Sequence, residues 1–189
     1  MKLRNRVLSK PLPRHVAIIL DGNGRWATKR GLPRKVGHQR GAMTLKEIVV
    51  EAYQLGIDVL SVYAFSTENW KRPKEEVDFL MDLPRQYEDQ IKEEFKGKDL
   101  NIRVVFSGRR DRFSKANIDL MSRLEESTKE NDGLYFNICV DYGSKDEIKE
   151  ATKKIALKVK QEEITIDDID ESLIESFLYT SQLPPVDLL

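Results

Sequence analysis

The residues best suited to chemistry form one unbroken stretch, Asp21-Gly22-Asn23-Gly24-Arg25-Trp26, directly after the apolar run Val16-Ala17-Ile18-Ile19-Leu20. A carboxylate at the end of a buried strand, followed by a glycine-rich turn, makes a phosphate cradle with a cation ligand at its lip. Glycines let backbone N–H groups approach an anion closely, and a following helix N-terminus favours negative charge. Mg²⁺ prefers oxygen ligands and takes one or two carboxylates plus substrate phosphates, which suits Asp21. Gly and Asn are also ordinary turn residues, so the stretch alone is equally compatible with a plain strand-to-helix turn.

The residues after this stretch favour the anion site. Between Asp21 and Arg40 stand six cations (Arg25, Lys29, Arg30, Arg34, Lys35, Arg40) and His38, against Asp21 as the one acid. The whole sequence has 32 basic and 32 acidic residues, and the compensating acids are remote: Glu162 to Glu175 holds seven and no Lys or Arg. A local field on a neutral protein suits a small polyanion, whereas nucleic acid calls for a broad basic surface. No nucleic-acid partner is expected.

A second polar constellation, Ser66-Thr67-Glu68-Asn69-Trp70-Lys71-Arg72-Pro73, comes after the β-rich run Val59 to Phe65. Ligands of open α/β sheets bind beyond the carboxyl ends of the strands, and here two successive strands end in such loops.

These segments resemble the signatures of the cis-prenyltransferases of undecaprenyl diphosphate synthase type. The resemblance lies in Asp21 to Ala27, Gly37-His38 and Tyr63 to Pro73, and continues through Ser107-Gly108, Arg112-Phe113, Asn137 to Gly143 and Leu183 to Leu188. It implies a Mg²⁺-dependent isoprenyl transferase that condenses isopentenyl diphosphate with an allylic diphosphate to give a cis-polyprenyl diphosphate, a lipid carrier for cell-wall synthesis. Asp21 would hold the metal and be catalytic. Gly22, Asn23, Gly24, Arg25, Trp26, Arg34 and His38 would grip the allylic diphosphate. Ser66, Thr67, Glu68, Trp70 and Arg72 would add substrate contacts. The family gives Asn69 a proton-acceptor role; a neutral amide is a poor base, so Asn69 is read as catalytic by positioning, with the leaving diphosphate available to take the proton. Glu68 is the ionisable neighbour and a natural partner for Arg72.

The elements that must position these groups fit an α/β fold, a mostly parallel central sheet with helices on both faces. Strands are expected at Val16–Leu20, Val59–Phe65, Asn101–Phe106 and Leu134–Val140. Helical spacing of Leu45, Ile48, Val49, Ala52 and Tyr53 predicts a helix from Gly41 to Gly56. Pro73 opens another, carrying Val77, Phe79, Leu80, Met81, Leu83, Tyr87, Ile91 and Phe95, which Pro84 should kink. The resemblance makes these two helices, with the sheet, the walls of a hydrophobic tunnel for the growing product. Further helices are expected from Phe113 to about Thr128, from a capping box at Ser144-Lys145-Asp146-Glu147, and from Asp170 through Leu173, Ile174, Phe177 and Leu178.

Residues 1–189 read as a single prenyltransferase domain, 40% hydrophobic and with one cysteine, Cys139, which excludes an intramolecular disulfide. The basic start, Met1 to Lys10, lacks the apolar core of a signal peptide, and no apolar run is long enough to span a bilayer. A cytoplasmic protein with peripheral contact at the inner face of the membrane, through its lipid product, is expected. Pro184 to Leu189 reads as a turn and the opening of another apolar strand. Members of the resembled family continue with an Arg/Ser/Glu-rich segment that serves isopentenyl diphosphate, a second metal carboxylate and a homodimer interface. The resemblance thus implies a domain that is incomplete at its C-terminal end relative to that family. The alternative function is a truncated, non-catalytic module that binds allylic diphosphate or supports a partner subunit.

Overall fold

Four apolar runs become four strands, β1 (His15–Ile19), β2 (Val59–Ser66), β3 (Ile102–Ser107) and β4 (Leu134–Tyr142), in the spatial order β1-β2-β4-β3. Every neighbouring pair is parallel, and Ala17, Ser61 and Asn137 lie in one row across three of the strands. This is a computed structural model that describes residues 2–97 and 100–189. The helices are α1 (Lys2–Leu8), α2 (Asn23–Thr28), α3 (Arg34–Leu55), α4 (Lys74–Gly97), α5 (Lys115–Ser127), α6 (Ser144–Lys160) and α7 (Glu171–Ser176). The expected α/β class and all four expected strands are present.

One face of the sheet is apolar. Leu60 and Val62 of β2, Ile102 and Val104 of β3, and Leu134 and Phe136 of β4 are buried against Val49 and Ala52 of α3, with Leu124 of α5 at the margin. Full burial of such side chains stabilises by about 1.5–3 kcal/mol each.

The other face bears a line of polar side chains that crosses all four strands. His15 (β1) bonds through Nδ1 to the Pro184 carbonyl at 2.7 Å and through Nε2 to the Ser61 hydroxyl (β2) at 2.7 Å. Asn137 (β4) donates to Ser61 Oγ at 2.9 Å and accepts from the Ser107 hydroxyl (β3) at 2.8 Å. A carbonyl can only accept, so His15 has its proton on Nδ1, and each group down the line then has one consistent direction of donation. All four residues are buried, and the line satisfies them mutually where water is excluded. Cys139 lies beside it, 2% exposed, its thiol pushed up to about 12 by burial.

The segment after Pro184 joins the sheet edge. Leu188 forms a parallel bridge with Val16, and Ala17 N–H donates to the Leu188 carbonyl at 2.7 Å. Asp187 Oδ2 accepts the backbone N–H groups of Arg14 and His15 at 2.8 and 2.9 Å. The expected strand opening at this point is thus a pairing with β1.

Three local expectations are corrected. The helix expected from Gly41 begins at Arg34, two turns earlier, with Pro33 as its N-cap. At α6 there is no capping box: Gly143 is the N-cap without a side-chain bond, and Ser144 is the first helical residue. Glu147 is drawn inward instead, accepting from the Tyr142 hydroxyl at 2.6 Å and the Tyr179 N–H at 2.8 Å. The helix begun at Asp170, whose carboxylate caps Leu173 N–H, ends at Ser176, short of Phe177 and Leu178. The α4 helix runs on through Pro84. The side chains of Ile91 and Phe95, and Met1 itself, lie outside the described residues.

Candidate active site

Both polar constellations come to rest at the carboxyl ends of the adjacent strands β1 and β2. After β1, Gly22 takes a left-handed conformation (φ 85°) that lets the backbone reverse directly into α2. The Asp21 carboxylate accepts the Gly22 N–H at 2.6 Å and pairs with Arg25 at 2.6 Å, its side chain two-thirds exposed. The Gly22 N–H, assisted by Arg25 and Arg72, holds Asp21 below the usual carboxylate range.

Helix α2 lies tightly against α3. A Cβ on Gly37 would stand 2.0 Å from the Asn23 carbonyl oxygen, so only glycine permits this approach. The Asn23 side chain packs at Gly41, and the Arg34 guanidinium lies over Gly24. The contact therefore sets Arg25 of α2, with Asp21 just before that helix, beside Arg34 and His38 of α3. Trp26 remains partly exposed, with the Arg30 guanidinium 4.4 Å from its ring centre.

The residue that ties the two constellations together is Glu76, in the first turn of α4. Its carboxylate takes a two-pronged bond from Arg34 (3.0 and 3.0 Å), one from His38 Nε2 (3.0 Å) and one from Arg72 (3.1 Å). The Arg34 bonds foremost, then His38 and Arg72, push Glu76 down to about 2. In sequence Glu76 looks like a routine acid near a helix start. Its signal is the spacing from Arg72, four residues earlier, which the expected Glu68–Arg72 pair displaced. Arg72 pairs with Glu76 instead, and Glu68 is exposed with no side-chain hydrogen bond among the described residues.

After β2 the backbone forms a 3₁₀ turn, Thr67–Lys71, closed reciprocally: the Ser66 hydroxyl accepts the Asn69 N–H, and Asn69 Oδ1 accepts the Ser66 N–H at 3.1 Å. Asn69 thereby fixes the geometry of the turn with its oxygen. Thr67 sits against Gly143, the N-cap of α6. Trp70 points into the protein: its indole N–H donates to Asp141 at 2.7 Å, and Phe65 and Phe113 meet the ring edge-on at 5.0 and 5.7 Å. The structure thus brings Asp21, Arg25, Arg34, His38 and Arg72 to one mouth and uses Asn69 and Trp70 to shape the turn beside it.

Asp21 fits a magnesium ion that shares its coordination with phosphate oxygens: it is a single, accessible carboxylate held ionised beside cations that suit the same anion. Among the described residues no group of three or more His, Cys, Asp or Glu side chains could hold a metal unaided. On α4, Val77 is buried, whereas Phe79, Leu80, Met81, Leu83 and Tyr87 are half-buried, leaving an apolar face incompletely covered.

A family model for putative undecaprenyl diphosphate synthase matches residues 19–189. The isoprenyl transferase of Aquifex pyrophilus is 50% identical over 182 residues, 96% of this chain and 75% of that protein. That of Rhodopirellula baltica is 45% identical over 183 residues, 97% of this chain and 74% of the relative. Among solved structures, lavandulyl diphosphate synthase from Lavandula x intermedia, in complex with dimethylallyl diphosphate, superposes with a TM-score of 0.86 at 37% identity, covering 90% of this chain and 72% of that one. A probable undecaprenyl diphosphate synthase from Campylobacter jejuni gives 0.68 at 29% identity, covering 90% and 71%.

Proposed function

The chain belongs to the undecaprenyl diphosphate synthase family and is a prenyltransferase, and from that premise we propose that it condenses isopentenyl diphosphate with an allylic diphosphate, with Mg²⁺, to make a cis-polyprenyl diphosphate of the undecaprenyl type for cell-wall synthesis. The observation that carries this reading is the gathering of Arg34, His38 and Arg72 on Glu76 beside the Asp21–Arg25 pair. Three guanidinium groups and an imidazole, from α2, α3 and the end of the 3₁₀ turn, converge where a diphosphate would bridge them, and the lavandulyl relative was solved with an allylic diphosphate.

In the reaction the allylic C–O bond breaks, a C–C bond forms to the terminal alkene carbon of isopentenyl diphosphate, and a proton is lost. Arg25, Arg34 and Arg72 would donate to the oxygens of the departing diphosphate, stabilising charge as it develops there. Their planar forks hold phosphate oxygens in fixed directions, which a point charge cannot do. Asn69 and Ser66 keep the second loop in the shape that presents Arg72, and the departing diphosphate takes the proton. Mg²⁺, held by Asp21, would add Lewis-acid neutralisation of the same leaving group. The half-covered apolar face of α4, with α3, would wall a tunnel for the growing prenyl product. We place the enzyme in the cytoplasm as a homodimer, touching the inner face of the membrane through its product. In support, no helix among the described residues is long and apolar enough to cross a membrane.

The test is incorporation of labelled isopentenyl diphosphate onto an allylic diphosphate, with Mg²⁺ or with chelator. Labelled polyprenyl diphosphate should form only with Mg²⁺, and Asp21→Ala should lower turnover roughly a hundredfold or more with the fold intact. A folded Asp21→Ala protein with parental turnover would remove Asp21 from the chemistry. Allylic diphosphate binding without any condensation would point to a non-catalytic binding module.

A further inference from the structure

Asp141 is a fully buried carboxylate in an uncommon backbone conformation. In the pairing of β2 with β4, Phe65 faces Val140 and Ser66 faces Tyr142, so Asp141 is the additional residue of a β-bulge, at φ 43°. Bulges at strand ends re-aim a side chain. Here the carboxylate is aimed at Trp70: Oδ1 accepts the indole N–H at 2.7 Å. The Arg112 guanidinium lies 4.5 Å from the Trp70 ring centre, with Nη1 3.7 Å from the same Oδ1. Oδ2 is buried with no hydrogen-bond partner among the described residues.

Such a residue is costly twice, in a buried oxygen left without a partner and in left-handed backbone, and such costs collect at functional sites. Packing around the indole is already supplied by Phe65 and Phe113, so filling space does not require a carboxylate. What the side-chain oxygen adds is a directional hydrogen bond from the end of β4 to the middle of the 3₁₀ turn. That turn is the one in which Ser66 and Asn69 lock together and which delivers Arg72 to Glu76. We infer that Asp141 is a positioning residue of the prenyl-transfer site, fixing the Thr67–Lys71 turn through the indole of Trp70. The inference rests on the function proposed above.

Three substitutions separate the bond from the backbone. Asp141→Gly removes the acceptor and keeps the left-handed conformation without strain. Asp141→Asn keeps an acceptor oxygen and tolerates the same φ. Trp70→Phe removes the donor and keeps a ring. Misplacing reacting groups by an ångström costs up to about a hundredfold in rate. Asp141→Gly and Trp70→Phe should therefore each lower kcat by about 10–100-fold, and the double variant should be no worse than the poorer single one within about threefold. Asp141→Asn should stay within about threefold of the parent. The near-ultraviolet tryptophan circular dichroism should change in Asp141→Gly and not in Asp141→Asn. Should Asp141→Gly not fold, Trp70→Phe beside Asp141→Asn still decides the matter, because a parental rate in Trp70→Phe overturns the inference. An active parent whose Asp141→Gly variant is equally active, or single losses that multiply in the double variant, also overturns it. A parent inert toward both diphosphates, with the tryptophan signal still responding, overturns the reading of the site and with it the part of Asp141 in prenyl transfer.

Discussion

Glu76 holds Arg34, His38 and Arg72 with one carboxylate, and its energetics can be isolated. Hydrogen bonds to charged groups are worth more than neutral ones, but Arg34 is half exposed and solvent screens its share. Glu76→Ala should cost about 1–2 kcal/mol, measured by urea unfolding at neutral pH. The acid dependence has a definite sign. Glu76 lies at about 2 in the folded protein against an ordinary 4.5, so its contribution is complete above 4.5 and is lost as pH falls toward 2. The stability gap between parent and Glu76→Gln should accordingly close between pH 4.5 and pH 2; a gap unchanged across that window contradicts the ionic role. Arg34→Lys keeps the charge but not the fork, and should weaken allylic diphosphate binding by roughly tenfold. Lys29→Ala, on the exposed side of the same segment, should leave it unchanged; calorimetry on the two variants compares them, and equal losses would mean a diffuse field and no shaped site.

The α2–α3 contact decides the site at the level of elements. Alanine is the better helix former by about 1 kcal/mol, so propensity alone makes Gly37→Ala stabilising. The Cβ would stand 2.0 Å from the Asn23 carbonyl oxygen, and forcing helices apart costs about 1–3 kcal/mol. Net destabilisation, with weaker diphosphate binding, is therefore expected in urea melts and calorimetry; a more stable variant would show that the helices separate freely. The same glycines explain what the sequence concealed. Gly37 and Gly41 interrupt the helical pattern, so α3 looks as if it starts at Gly41, though its first two turns bear Arg34 and His38. Val59 to Val62, by contrast, is buried at every position, as a strand covered on both faces must be, and reads directly from the sequence. At Ser144 a local capping pattern is genuine in the sequence, but tertiary bonds from Tyr142 and Tyr179 take Glu147 away from it.

Across the whole molecule, the line from His15 through Ser61 and Asn137 to Ser107 joins every strand of the sheet and anchors the segment after Pro184. Its links are 46, 76 and 30 residues long in sequence, so no local window reveals it. Periodicity exposes which residues are apolar together, whereas polar partners meet only once strand order is set. Asn137→Ala breaks the line at its centre, leaving Ser61 only its bond to His15 and Ser107 only its long 3.4 Å bond to the Tyr179 carbonyl. A loss of about 2–4 kcal/mol in denaturant unfolding is expected. Hydrogen exchange at Asp187 and Leu188 should quicken, because the His15 ring that braces Pro184 loses its orientation. Unchanged exchange there would confine the network's influence to the sheet.

The solitary thiol of Cys139 has a practical corollary. Buried in β4 and pushed up to about 12, it remains protonated at neutral pH, and alkylating reagents need the thiolate. A cysteine introduced on the surface would then be the one group that a maleimide dye or spin label modifies in the native protein, with no background to delete first. Lys71, exposed at the end of the 3₁₀ turn, is a suitable place. A probe there would report whether the turn keeps its place relative to the Asp21 side of the mouth as diphosphate is titrated in.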